Sequence, residues 1–304
     1  MSATAGMAWS APDDVDAVVR ALAAHDYLAD PGLATAIFLA LRMRRPLLLE
    51  GEAGVGKTEV AKVLAAWVGS PLIRLQCYEG IDAAQAVYEW DYARQLLHLR
   101  ALEAGHSSVD EDELYDERFL VRRPLLAALD HDGDVPPVLL VDEVDRADDE
   151  FEALLLEVLS ESAITVPELG TIRATTPPIA VLTSNRTRDV HDALKRRCLY
   201  HWIEHPDLER ELAIVRLRAP EVSEELARDV ARAVAELRNL DLYKAPGVAE
   251  TIDWATALAA LGAKRIDEAS AADTIGTVLK YREDQARVQE LGIDRLVRDA
   301  LARP

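Results

Sequence analysis

The sequence has very few cysteines and no long apolar run. Cys77 and Cys198 are the only cysteines among its 304 residues, which is too few for a disulfide framework or a cysteine-based metal site. Its apolar runs are far shorter than the roughly 18 residues that a membrane-spanning helix needs. The opening segment MSATAGMAWSAPDD lacks the basic and then apolar order of a secretory signal. We therefore expect a cytoplasmic protein.

Positive charge is also scarce. The chain has 34 Lys and Arg residues against 54 Asp and Glu residues, which gives a formal net charge of -20, and its isoelectric point is near 4.8. A strongly acidic chain repels the phosphate backbone of nucleic acids at long range, and we find no local basic groove in the sequence. The composition therefore favours protein partners over nucleic acid.

Two contrasting patterns divide the chain near Pro206. Over residues 1–206, short apolar runs alternate with helical patterns, which is typical of an α/β fold with a parallel sheet. Over residues 207–304, amphipathic helical patterns follow one another without strands. We therefore predict an α/β domain over 1–206 and a smaller all-α domain over 207–304.

Four apolar runs in the first domain have the length of strands and end in polar or charged residues. Such runs are typical of buried parallel strands, whose carboxyl ends form the edge where ligands bind. The runs are RPLLLE, PLIRLQ, PVLLVDE and IAVLTSN. Ahead of the last run, β-branched residues flank the turn sequence PELG, which predicts a hairpin at about residues 163–175.

The segment GEAGVGKT, residues 51–58, matches the phosphate-loop pattern G-x-x-x-x-G-K-[ST] between a predicted strand and a predicted helix. Its glycines let the turn wrap closely around a polyphosphate, whose oxygens face backbone N–H groups at the start of the helix. In such a loop Lys57 reaches the terminal phosphates and the Thr58 hydroxyl ligates Mg²⁺. The pattern predicts that the chain binds a nucleoside polyphosphate together with Mg²⁺.

Polar side chains end two further strands. Asp142 and Glu143 follow VLLV, where Asp142 is placed to hold Mg²⁺ through water and Glu143 to polarise an attacking water. Asn185 ends IAVLTSN. We expect this strand to lie between the strand that precedes the phosphate loop and the strand that ends at Asp142. Asn185 is placed to read the γ-phosphate and orient water, or else caps the following turn.

Three cations stand together in HDALKRRCLY: Lys195, Arg196 and Arg197. They lie at the end of a helical segment and before the strand-like LYHWI. An arginine at such a place can reach a nucleotide held by a neighbouring copy and stabilise the charge of the transition state in trans. The alternative is that the three cations offset the helix dipole and pair with surface acids.

Taken together, GEAGVGKTE, LLVDEVDRADDEFEALLLEVLSE and LTSNRTRDVHDALKRRC resemble the MoxR family of AAA+ ATPases, most closely the CoxD type encoded beside carbon monoxide dehydrogenase. The resemblance spans about residues 15–262. It implies a P-loop NTPase domain, a three-layer αβα sandwich with a parallel sheet, followed by a helical lid. It also implies a homo-oligomeric ring, commonly a hexamer, and an insertion at about residues 81–120.

The resemblance assigns roles to individual residues. Glu143, Asn185 and Arg197 match the catalytic glutamate, sensor 1 and the arginine finger, and Arg196 is a weaker match to the finger. It further implies a partner protein with a von Willebrand factor A domain and a client metalloenzyme, a molybdenum hydroxylase such as carbon monoxide dehydrogenase. The predicted nucleotide-binding residues are Gly51, Glu52, Ala53, Gly54, Val55, Gly56, Lys57, Thr58, Glu59 and Asp142.

One position departs from the MoxR pattern. Family members carry a sensor 2 arginine in the lid, whereas KAPGVAETIDWATAL, residues 244–258, contains no arginine. Val248 or Glu250 occupies the expected position, and Lys244 is a weak substitute. Arg146, in DEVDRAD, is expected either at a subunit interface or in a salt bridge with a nearby aspartate.

Two alternatives to an ATP-hydrolysing remodelling factor stay open. One is a DNA-linked AAA+ ATPase, against which the net charge weighs. The other is a nucleotide-binding assembly scaffold without significant hydrolysis, which would have no use for Glu143, Asn185 and Arg197 together. His201 and His205, four residues apart, suggest a metal pair, but no third ligand is evident in the sequence.

Overall fold

The computed structural model describes residues 9–104 and 112–302. The β-strands are β1 Leu47–Gly51, β2 Leu72–Gln76, β3 Tyr88–Trp90, β4 Leu120–Arg122, β5 Val138–Asp142, β6 Ala163–Val166, β7 Gly170–Arg173, β8 Ile179–Ser184 and β9 Leu199–Ile203. The α-helices are α1 Val15–Ala24, α2 Pro31–Met43, α3 Lys57–Val68, α4 Ala83–Ala86, α5 Tyr92–Ala104, α6 Pro124–Leu129, α7 Asp149–Glu161, α8 Asp192–Arg197, α9 Leu208–Arg218, α10 Glu224–Arg238, α11 Val248–Ala260, α12 Glu268–Val278, α13 Arg282–Leu291 and α14 Ile293–Ala302. Within these described ranges, none of the helices has the length and apolar character needed to cross a membrane.

The main sheet has the strand order β2-β5-β8-β1-β9. The pairs β2 with β5, β5 with β8 and β8 with β1 are parallel. Strands β1 and β5 are buried along their whole length, as expected for strands that are covered on both faces. The predicted α/β fold with a parallel sheet is confirmed. The sequence also predicted that the strand before Asn185 lies between the strand of the phosphate loop and the strand of Asp142. The order β5-β8-β1 confirms this prediction.

The described chain divides into two compact units. The first comprises the chain up to Ala21 together with Asp30–Glu50 and Thr58–Trp202. The second comprises Leu22–Ala29, Gly51–Lys57 and the chain from Ile203 onward. The phosphate loop thus groups with the C-terminal helices, although the strand before it and the helix after it lie mainly in the first unit. The domain boundary near Pro206 stays a prediction.

The core of the first unit joins the sheet to α7. Leu48, Leu139 and Leu182, from β1, β5 and β8, are fully buried with Leu155 of α7. Burial of each such side chain contributes about 1.5–3 kcal/mol. The Asp148 side chain accepts a hydrogen bond from the Phe151 N–H at 2.9 Å and caps α7, which begins after the short turn Val144–Arg146 that follows β5.

Two smaller antiparallel pairs accompany the main sheet in the first unit. Strands β3 and β4 pair with Trp90 opposite Leu120, in the region where the resemblance implies an insertion. Strands β6 and β7 pair with Val166 opposite Gly170 and form a hairpin that leads into β8.

The core of the second unit is built by helices alone. Leu226 and Val230 of α10 and Trp254 of α11 are fully buried together with apolar residues of α12 and α14. The Trp254 indole N–H donates to the Thr274 hydroxyl at 2.7 Å, so the polar end of this large side chain is satisfied within the core. The predicted all-α composition of the C-terminal region is confirmed.

Both cysteines are buried in the first unit. Burial raises the pKa of the Cys77 thiol to about 12, helped by the negative charges of Asp142, Asp145 and Glu143. Burial also raises the pKa of Cys198 to about 12, against a lowering effect of Arg45. Because thiolate is the reactive form, burial disfavours the nucleophilic state of both side chains.

Candidate nucleotide site

The phosphate loop, residues 51–57, has the backbone that its glycines allow. Gly54 and Gly56 have φ values of 83° and 93°, a region that residues with a Cβ rarely adopt. A Cβ added to Gly56 would contact only the Tyr27 ring edge at 3.9 Å, so the conformation and not the space requires glycine there. The loop enters α3 at Lys57, and its N–H groups at the helix start form an anion-binding arrangement.

Lys57 is buried within this loop. Its ammonium group donates to the carbonyl oxygens of Gly51 at 2.7 Å and Glu52 at 2.6 Å. Only 7% of the residue is exposed. These carbonyls hold the ammonium at the loop, where its positive charge suits a polyphosphate.

The start of α11 packs directly on the phosphate loop, within the second unit. The Val248 N–H donates to the Gly54 carbonyl at 3.1 Å. A Cβ added to Gly247 would lie 2.7 Å from the Gly54 Cα and 2.8 Å from the Ala53 carbonyl oxygen. Glycine at 247 therefore permits a close approach of two backbones, which sequence reasoning did not foresee.

A buried ion pair holds the chain ahead of this contact. Arg238 of α10 donates to both carboxylate oxygens of Glu211, at 2.6 and 2.7 Å, and to the Pro246 carbonyl at 2.7 Å. The Thr251 hydroxyl donates to the same carboxylate at 2.6 Å. Since the pair is bidentate and further hydrogen-bonded, it fixes the approach of Gly247 to the loop.

Replacing Gly247 by alanine is expected to weaken ATP binding by about tenfold or more, because the two nearest atoms that the methyl group meets are backbone and cannot rotate away. Titration with a fluorescent ATP analogue measures the effect. The matched control is Gly276→Ala in α12, where an added Cβ meets only the Gln285 side chain, at 3.6 Å. Equal affinities for the two variants would show that the loop does not depend on this contact.

The first unit contains an acidic cluster around Asp142, at the end of β5. One carboxylate oxygen accepts from the hydroxyls of Thr58 at 3.0 Å and Thr183 at 2.5 Å. The other accepts from Arg74 Nε at 3.1 Å. A carboxylate beside a hydroxyl is the donor set that Mg²⁺ accepts alongside water and phosphate oxygens, so Thr58 and Asp142 fit the predicted metal role.

Glu143, the residue after Asp142, has a left-handed backbone conformation with a φ of 55°. Its N–H donates to the Thr183 hydroxyl at 2.9 Å. Its carboxylate accepts from Gln76 Nε2 at 3.1 Å and from Arg146 Nε at 2.9 Å. The expected aspartate partner of Arg146 is wrong: the short turn Val144–Arg146 brings this arginine back to the glutamate three residues earlier.

Asn185 is joined to the same cluster. Its side-chain nitrogen lies 3.5 Å from Glu143 Oε1, and its backbone N–H donates to Asp145 Oδ2 at 3.2 Å. Asp145 is 2% exposed and also accepts from the Thr187 N–H and hydroxyl, at 2.8 and 2.7 Å. Asp145 therefore anchors the turn after β8 and holds Asn185 facing Glu143.

The AAA domain family, dynein-related subfamily, matches residues 46–198, which is half of the chain. The chain belongs to this family. Similar solved structures include a protein assigned as an ATPase from Cytophaga hutchinsonii, at 16% identity, with 84% of each chain covered and a TM-score of 0.40. They also include the RuvB Holliday junction branch migration motor of Thermotoga maritima, at 15% identity, with 90% of this chain and 74% of that chain covered and a TM-score of 0.45.

Family membership makes the protein an AAA+ ATPase, with ATP and Mg²⁺ as its cofactors. Of the side chains that the sequence assigned to chemistry in the first unit, Thr58, Asp142, Glu143 and Asn185 lie in one hydrogen-bonded cluster, and Arg196 and Arg197 do not belong to it. Sequence reasoning missed Thr183, Gln76, Arg74 and Asp145, which connect this cluster. A signal for Gln76 was present, because polar residues at the ends of parallel strands share one edge of the sheet.

The AAA+ ATPase exposes the two candidate finger arginines at the end of α8. Arg45 donates to the backbone carbonyls of Arg196, Arg197 and Cys198 at 2.6, 3.1 and 3.2 Å and secures this helix end. Lys195 lies 3.5 Å from Asp189. Among the described residues, no side chain forms an ion pair with the guanidinium of Arg196 or Arg197.

The lid positions singled out for sensor 2 have other contacts in this AAA+ ATPase. Val248 is buried at the phosphate loop, and the Glu250 carboxylate accepts from the Gly247 N–H at 3.0 Å. The Lys244 side chain is exposed. For the two histidines, His201 lies 3.7 Å from Asp30 and His205 lies 3.1 Å from Glu52. In the part of the chain that the structure describes, no cluster of three metal-binding side chains occurs.

Proposed function

We propose that the protein is a MoxR-type AAA+ ATPase that couples ATP hydrolysis to the remodelling or maturation of a client protein. The observation that carries the proposal is the cluster around Asp142 and Glu143, in which Glu143 is held by Gln76 and Arg146 and faced by Asn185. A scaffold that only binds nucleotide has no use for a second carboxylate held in this way.

Each residue of the cluster has a separate task in hydrolysis. When bound, Mg²⁺ neutralises charge on the phosphates. The phosphate loop and Lys57 would bind those phosphates. The Thr58 hydroxyl and, through water, Asp142 would hold the metal, and Asn185 would orient the attacking water. Glu143 accepts the proton of that water as the water oxygen bonds to the γ-phosphorus, while the bond from this phosphorus to the bridging oxygen breaks and ADP leaves. The cluster supports this division because Asp142 contacts Thr58 whereas Glu143 contacts Asn185.

The catalytic site is completed by a neighbouring copy in a homo-oligomeric ring, commonly a hexamer. Arg197, with Arg196 beside it, supplies positive charge to the γ-phosphate bound by the adjacent subunit. The exposure of both side chains at the end of α8 supports this role. Neither has an intrachain acidic partner among the described residues, although the chain carries a net charge of -20.

The client that we propose is a metalloenzyme of the molybdenum hydroxylase class, such as carbon monoxide dehydrogenase, whose metal centre the ATPase helps to mature. A protein with a von Willebrand factor A domain is the proposed adaptor. The resemblance of the motifs to the CoxD type supports both partners. The acidic composition supports protein over nucleic acid as the target.

Affinity capture with two variants tests the client. Glu143→Gln retains bound ATP and holds the client, whereas Lys57→Ala lacks the ammonium that contacts the phosphates. Mass spectrometry of proteins captured from the native host should find a molybdenum hydroxylase and a von Willebrand factor A protein with Glu143→Gln and ATP, and not with Lys57→Ala. Recovery of DNA-processing proteins, or identical proteins with both variants, would contradict the proposal.

A further inference from the structure

We propose that Arg74 is a positioning residue that sets the direction of the Gln76 side-chain amide and, through it, the place of the Glu143 carboxylate. The inference rests on the proposed catalytic role of Glu143. Arg74 and Gln76 lie two residues apart on β2, so their side chains share one face of the strand. Arg74 Nη2 donates to Gln76 Oε1 and, at 2.6 Å, to Asp142 Oδ2.

The direction of the Gln76 amide follows from the donor inventory. A guanidinium has five N–H donors and no acceptor, so whichever end of the amide faces Arg74 must be the oxygen. The NH₂ end must then point away, and it donates to Glu143 Oε2 at 3.1 Å. The orientation of this amide is therefore dictated by chemistry, although oxygen and nitrogen have nearly the same shape.

The reversed amide would place an acceptor against an acceptor. The Gln76 oxygen would face the Glu143 carboxylate, and the NH₂ group would face the donor of Arg74. Arg146, whose Nε lies 2.9 Å from the same carboxylate oxygen, would then be left as the main partner of Glu143. With the observed direction, Glu143 is held between Gln76 and Arg146, facing Asn185.

Asp142 in turn holds Arg74 in place. The guanidinium contacts one carboxylate oxygen through Nε at 3.1 Å and Nη2 at 2.6 Å, and the aspartate side chain is only 5% exposed. A buried carboxylate with an arginine bound in this way is a strong and directional partner. Arg74 and Gln76 thus link the carboxylate of Asp142 to that of Glu143 through hydrogen bonds.

Kinetics of four variants test the proposal. Arg74→Met is expected to lower kcat about tenfold because it removes the hydrogen bond that orients Gln76 toward Glu143. Because Arg74 also contacts Asp142, kcat is measured at saturating ATP and Mg²⁺, so that a weaker hold on the metal does not enter the comparison. Arg74→Lys also carries only donors and should retain kcat within about threefold. In a Gln76→Ala background, Arg74→Met should lower kcat by less than about twofold, since the two residues act through one contact.

The matched control removes a similar ion pair elsewhere in the first unit. Arg122 contacts Asp130 at 2.5 Å, and Arg122→Met should leave kcat unchanged. If Arg74→Met does not fold, Gln76→Glu replaces it in the test. A glutamate at position 76 still accepts a hydrogen bond from Arg74 but has no N–H to donate to Glu143. Gln76→Glu should therefore lose as much kcat as Gln76→Ala. In the nucleotide-free protein, the Gln76 NH₂ protons should exchange with water faster in Arg74→Met than in the wild type.

Two results would overturn the proposal. The first is a kcat within twofold of wild type for Arg74→Met, or for Gln76→Glu where that variant replaces it. The second is a double variant, Arg74→Met with Gln76→Ala, whose loss of kcat equals the product of the losses in the two single variants. Failure of the proposed catalytic role would look different. Wild-type turnover in Glu143→Gln would refute that role directly, whatever the values of kcat for Arg74→Met and Arg74→Lys.

Discussion

The Glu143→Gln variant is expected to bind ATP with near wild-type affinity and to turn it over about 10³-fold more slowly. Glutamine has nearly the shape of glutamate but cannot accept the proton of the attacking water. The phosphate loop and Lys57 lie on a different segment of the chain, so binding is left intact. Release of phosphate under saturating ATP and titration with an ATP analogue measure the two quantities separately.

The matched control for this variant is Glu157→Gln, an exposed glutamate of α7 in the same unit. It should hydrolyse ATP at the wild-type rate, which excludes an effect of removing one negative charge from the domain. A Glu143→Gln variant that keeps more than about a tenth of wild-type turnover would show that Glu143 is not the proton acceptor.

Loss of the finger arginine should be equally severe. Arg197→Ala is expected to bind ATP normally and to lower turnover by about 10³-fold, the lower end of the effect of arginines supplied to phosphoryl transfer. Arg196→Ala, the neighbouring exposed arginine at the end of α8, is the comparison and should lose less. A larger loss in Arg196→Ala would move the role to Arg196.

Mixing two inactive variants decides whether the arginine acts in trans. Glu143→Gln subunits retain Arg197, and Arg197→Ala subunits retain Glu143. Mixed rings therefore contain interfaces at which an intact glutamate meets an intact arginine, and activity should reappear. Mixtures of subunits that exchange freely and still stay inactive would show that both residues act within one subunit.

The local elements of the site were open to prediction because each is contiguous in the chain. The phosphate loop is determined by the backbone freedom of Gly54 and Gly56 and by its place between a buried strand and a helix. Asp142 and Glu143 follow directly from the polar end of an apolar strand. A parallel sheet then brings the ends of such strands to one edge, which is why Asn185 could be expected near them.

The partners of these residues could not be predicted because they depend on register between distant segments. Gln76 and Glu143 are 67 residues apart, and Thr183 and Asp142 are 41 apart. Arg146 had several acidic neighbours in the sequence, and only the turn after β5 selected Glu143. Polar residues are common at strand ends, so composition alone does not show which of them will meet.

By itself, therefore, the sequence determined the phosphate loop, the two acidic residues and the parallel sheet that carries them, since these follow from short-range periodicity and backbone conformation. Only the tertiary structure decided how the acids are held and how closely α11 approaches the phosphate loop. Gly247 shows the reason: its φ of -84° suits any residue, and the need for glycine arises only from the Gly54 backbone lying against it.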